Sequence, residues 1–232
     1  MNEYAQQLSV SQAQPTERAA FIRRTYAHLA GALLLFAGLL AYLITTPFAT
    51  QFVGFAMSSR FGWLGVLGGF VLFGWLARGL AASSASPTIQ YLGLTLYVIA
   101  DAVIFVPIMY MAKNFSEPTV IPTAGILTLA LFGGLTAVVF TTRKDFSFLR
   151  GVLVIGVAVA IGLIIAGAFI GFDLGMVFSA AMIGLAGAAI LYDTSKIMLH
   201  YRTDQHVGAA LELFASVAML FFYVLRLVMD RR

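Results

Sequence analysis

Seven apolar stretches alternate with short polar breaks along the chain, at about residues 26–46, 61–82, 88–112, 119–142, 149–171, 174–197 and 207–229. A helix needs roughly 20 apolar residues to cross the hydrocarbon core of a bilayer, and each stretch is that long. The breaks carry turn chemistry. Pro47 follows Thr45 and Thr46 and ends the first span, because proline cannot continue a helix ladder. Ser83, Ser84 and Ser86 lead into Pro87, which is set to start the third span. Lys113, Asn114, Ser116, Glu117 and Pro118 separate spans three and four, and Thr141 to Asp145 separate four and five. Gly171 to Gly175 is the tightest break, and Tyr201 to His206 is the last. Short connections force neighbouring helices to run antiparallel. The pattern therefore predicts an all-α, seven-transmembrane-helix bundle over residues 26–230. Residues Met1 to Gln14 are polar, without the apolar region of a signal peptide, so residues 1–25 are expected to be a flexible cytosolic tail.

Composition sharpens this. Of 232 residues, 61% are hydrophobic and 10% charged, whereas soluble domains run near 45–50% and about 25%. A soluble domain, a disordered chain and a coiled coil are excluded. With no cysteine, disulfides and thiolate chemistry are excluded too. The net charge of +4 sits at the ends of apolar runs, which points to the lipid bilayer and not to nucleic acid. Arg18, Arg23, Arg24, Arg78, Arg143, Lys144, Arg150, Lys196 and Arg202 fall on the N-terminal side of the bundle. Arg60, Lys113, Arg226, Arg231 and Arg232 fall on the other. This asymmetry predicts a cytoplasmic N-terminus. Seven spans then put the C-terminus outside, unless the last span is re-entrant, as its basic end would favour.

Three acidic residues fall inside spans: Asp101, Asp193 and Glu212. A charge at the bilayer centre costs at least ~2.5–3.5 kcal/mol, so such groups face a bundle interior or water and are functional candidates. Asp101 sits among Ile99, Ala100, Ala102 and Val103, so its partner must come from another helix. Asp193 has two open partners: Lys196, one turn on, and Arg78, at the same depth on the second span. Glu212 precedes Ser216 by one turn on the same face. Arg226, near the far end of the last span, is placed to snorkel to headgroups. His28, His200 and His206 lie near the interface, none at metal-ligand spacing.

Enzyme signatures are missing. No HExxH occurs, no GxGD follows Tyr192-Asp193, and the last span has no lysine for a retinal Schiff base. All three histidines lie too near the surface for an intramembrane serine protease. No enzymatic activity is expected.

Two stretches carry a family resemblance. Residues 140–149 read FTTRKDFSFL and residues 189–197 read AILYDTSKI. Both resemble the Bax inhibitor-1 family, the first most closely its bacterial branch of YccA-type protease modulators. The resemblance covers about residues 20–230 and implies a seven-helix bundle with a central last helix, in a bacterial inner membrane. Some members behave as pH-sensitive calcium leaks. Their sensor is an aspartate pair on the last two helices, near an arginine of the second. Carried over, the first aspartate is Asp193 and the arginine Arg78. The second aspartate position holds Ser216, which cannot share a proton as a carboxylate does. Glu212, one turn earlier, is the available replacement, and Asp101 is expected to line the same cavity. The resemblance thus implies a pH-sensitive calcium or proton leak with calcium as cargo and no cofactor. Its alternative is a non-transporting modulator that binds an FtsH-type membrane protease.

Overall fold

The computed structural model describes residues 9–81 and 86–230, with Arg60 as backbone only. Among these residues there are eight helices: α1 (Pro15–Leu43), α2 (Pro47–Met57), α3 (Arg60–Ala81), α4 (Pro87–Phe115), α5 (Val120–Thr142), α6 (Leu149–Ile170), α7 (Gly175–Leu199) and α8 (His206–Asp230). All but α2 are long and apolar enough to cross a membrane. The all-α, multi-pass architecture is as expected.

The differences lie at the ends of the spans. The tail expected through residue 25 is helical from Pro15, where a proline at the first helical position presets φ. Just before it, Val10 is fully buried. Its N–H donates to the Tyr201 carbonyl at 2.8 Å, and Ser9 bridges Arg202. Residues Ser9 and Val10 are thus tied to the α7–α8 loop. Residues 1–8 lie outside the described residues. Pro47 does end the first span but also starts α2, which at 11 residues rises only ~16 Å and cannot span. Of the serine-rich break, Ser83 and Ser84 lie outside the described residues. Ser86 caps α4, accepting the Ile89 N–H at 3.5 Å. The tight break after α6 holds: Gly171 takes φ 85°, open to glycine without strain. Asp173 Oδ1 then accepts the Gly175 N–H. The last helix is unbroken over 25 residues, not re-entrant; Arg231 and Arg232 fall outside the described residues.

The core gathers around α8 and α4. Phe214 of α8 is fully buried and meets Phe36 of α1 and Tyr97 of α4 edge-on. Phe105 stacks on Phe221. Lipid tails are as apolar as leucine, so close packing holds such helices together. At Gly93 a Cβ would fall 2.6 Å from the Ala77 carbonyl oxygen, so α3 and α4 touch backbone to backbone there.

Candidate functional site

A cavity of about 570 Å³ runs inside the bundle between α3, α4, α6, α7 and α8. All five residues singled out from sequence line it: Arg78, Asp101, Asp193, Glu212 and Ser216. Arg78 comes from the last turn of α3. Asp101 comes from mid-α4, one turn after Tyr97. Asp193 comes from α7, and Glu212 and Ser216 from adjacent turns of α8.

Their pairing differs from the expected one. The Ser216 hydroxyl donates to Asp193 Oδ2 at 2.6 Å, with both residues buried. Ser216 therefore stands opposite Asp193 as the motif register implied, but as a donor and not as a second acid. Neither expected cation pairs with Asp193 among the described residues. Lys196 carries its ammonium over the rings of Tyr192 and Tyr201, at 5.2 and 5.0 Å. A long stem favours reaching toward the interface over burying the charge beside Asp193. Arg78 turns to α4 and α8. Its Nη2 donates to the Tyr97 hydroxyl at 3.2 Å, and its Nε lies 3.9 Å from Glu212 Oε1. Glu212 thus faces Arg78 and makes no hydrogen bond to Asp193. Asp101 is 5% exposed, and its Oδ2 has no hydrogen-bond partner among the described residues.

At the far end the cavity reaches Arg226, whose Nη2 meets Asp173 Oδ1 at 3.3 Å. At 1.5 Å per residue, α8 rises ~21 Å from Glu212 to Arg226, most of a ~30 Å hydrocarbon core. Three acids, Asp101, Asp193 and Glu212, and two arginines, Arg78 and Arg226, thus line one otherwise largely apolar cavity. Sequence reasoning missed Tyr97, although its place four residues before Asp101 puts both on one helical face. It also missed the Asp173 contact, because a loop carboxylate gives no hydropathy signal.

The two motif stretches meet outside the cavity. The Phe146 N–H donates to Ser195 Oγ at 3.3 Å, and His200 Nε2 lies 3.3 Å from Asp145 Oδ2. Hydrogen bonds from the Ser147 hydroxyl and N–H, with His200 nearby, hold the Asp145 carboxyl below its ordinary value. Burial pushes the Tyr201 phenol up. The α5–α6 loop is thereby tied to the end of α7, within two turns of Asp193. Among the described residues no three His, Asp or Glu gather as metal ligands would.

Residues 18–232 match the profile of the family described as "Inhibitor of apoptosis-promoting Bax1". An uncharacterised protein of Pseudomonas aeruginosa is 31% identical over 231 residues, covering 98% of this chain and 96% of its own. The Escherichia coli protein named "Modulator of FtsH protease YccA" is 30% identical over 120 residues, 51% of this chain and 53% of that one. A second Escherichia coli relative, named "Inner membrane protein YccA", matches over the same extent.

Proposed function

This chain belongs to the Bax inhibitor-1 family, and on that premise we propose that its central cavity is a pH-sensitive leak for cations, calcium or protons, with no covalent chemistry. One observation carries this reading: five polar residues scattered over four helices line a single cavity that continues to Arg226. Buried charge in a membrane is costly, and a helical bundle needing only glue would hold its polar atoms in pairs. Asp101 Oδ2 is instead buried and unpartnered among the described residues, in a residue that lines the cavity. In this reading Asp101, Asp193 and Glu212 attract the cation and Arg78 competes for their charge. The Ser216–Asp193 bond then couples the charge on Asp193 to the α7–α8 contact, since a hydroxyl bond to an ionised carboxylate is about twice as strong as a neutral one. Gain or loss of one proton therefore changes both the path and its wall. The end carrying the N-terminus is cytoplasmic in this account. Reconstituted protein should pass calcium or protons at a rate that varies with pH, and Asp193→Asn should lower it.

A second reading is favoured by the name of the Escherichia coli relative: a modulator that binds an FtsH-type protease without transporting. The match spans about half of each chain. Co-purification of the protease should then weaken when residues 1–15 are removed. Unchanged recovery would rule out the tail as the contact.

A further inference from the structure

A second cavity, of about 490 Å³, opens at the N-terminal end of the bundle between α1, the end of α5 and α7. It is lined by Arg18, Arg143, Ser11, Ile22, Phe140 and Met198, among others. The geometry points to a binding site for the phosphate headgroup of an anionic phospholipid.

The two guanidiniums come from different helices, and among the described residues neither has a carboxylate within ion-pair distance. Ala13 and Pro15 also line the cavity, so the start of α1 opens toward it. Gln14 makes no side-chain cap there, and the positive end of a helix dipole favours an anion. Glu17, in the same turn, is not part of the wall. Arg143 ends α5 with φ 52°, a left-handed position where glycine would sit with least strain. The chain holds an arginine at that position, on the rim of the cavity.

The floor is apolar: Ile22, Phe140 and Met198. A soluble phosphate would leave that floor unused, whereas a phospholipid presents a charged head and the first methylenes of its chains together. Depth agrees as well. Arg143 directly follows the 23-residue span of α5, and Arg18 precedes the apolar run of α1, so both lie at the boundary between headgroups and water. Basic pockets between spanning helices at that depth suit anionic headgroups.

The test uses the purified full chain, stripped of lipid in detergent and offered phosphatidylglycerol and phosphatidylcholine in equal amounts, with bound lipid read by native mass spectrometry. Phosphatidylglycerol should be retained preferentially. Arg18→Gln and Arg143→Gly should each reduce that retention about fivefold; the glycine keeps the left-handed turn, so loss cannot be ascribed to misfolding. Arg23→Gln and Lys144→Gln remove equal charge outside the cavity and should leave retention unchanged. Three results would overturn the site: equal retention of both lipids, equal losses in all four variants, or displacement of phosphatidylglycerol by inorganic phosphate at matched concentration.

Discussion

Helices α6 and α8 are both long enough to cross the membrane, yet they are built on opposite plans. In α8, 72% of the spanning stretch is buried, against 11% in α6. The buried helix carries Glu212, Ser216 and Arg226; the exposed one carries almost only aliphatic residues, and Ala160 alone of its length is buried. A soluble protein would invert this. In lipid, the outer surface must be apolar because tails cannot solvate charge, and the interior is where polar groups find partners. The contrast explains why every polar candidate ended in one place. After Arg150, α6 carries no charge, and the charged groups inside spans sit on α7, α8, α4 and the end of α3, all of which line the cavity.

That contrast is breakable. Phe214→Ala, in the fully buried edge-on cluster of α8, should cost ~3–5 kcal/mol, read by denaturation in mixed micelles. Ile155→Ala, on the lipid face of α6 and 66% exposed, should stay within ~0.5 kcal/mol. Similar losses at both sites would deny the division into core and lipid-facing helices. Ser216→Ala deletes the donor to Asp193 and leaves a buried acceptor, which costs ~1–3 kcal/mol; a change below that range in the same assay would mean the 2.6 Å contact is not what holds α7 to α8. The smallest effect lies outside the membrane. Asp145 has a lowered folded pKa, so its contribution to stability is present above the ordinary value of 3.8 and is lost as pH falls through the folded value. Asp145→Asn should slightly lower the melting temperature near neutral pH and converge on the wild type in acid; a constant offset at every pH would remove Asp145 from the α5–α6 loop account.

Much of the fold was legible because a bilayer asks for length and apolarity, and seven stretches answer. What hydropathy could not show lies outside the hydrocarbon. Residues 15–25 are helical but carry Glu17, Arg18, Arg23 and Arg24, so a rule tuned to lipid contact read them as tail. Helix α2 is apolar but too short to be counted as a span. At the site, Asp101, Asp193 and Glu212 were visible as charges where charge is expensive, and the motif register placed Ser216 opposite Asp193. Partner choice was not visible, because it depends on side-chain reach across helices. Lys196 lies one turn from Asp193 in sequence but points to Tyr192 and Tyr201, and Arg78 is held by Tyr97, a residue with no charge to draw notice.

The measurement closest to the central claim is calcium and proton flux into proteoliposomes between pH 5 and 8, comparing wild type with Asp193→Asn. The cavity account predicts flux that varies with pH in the wild type and is lower and less pH-dependent in the variant. Flux no greater than that of empty liposomes at every pH, or identical profiles for the two proteins, would contradict it and leave Asp193 and Ser216 as a structural bond between α7 and α8.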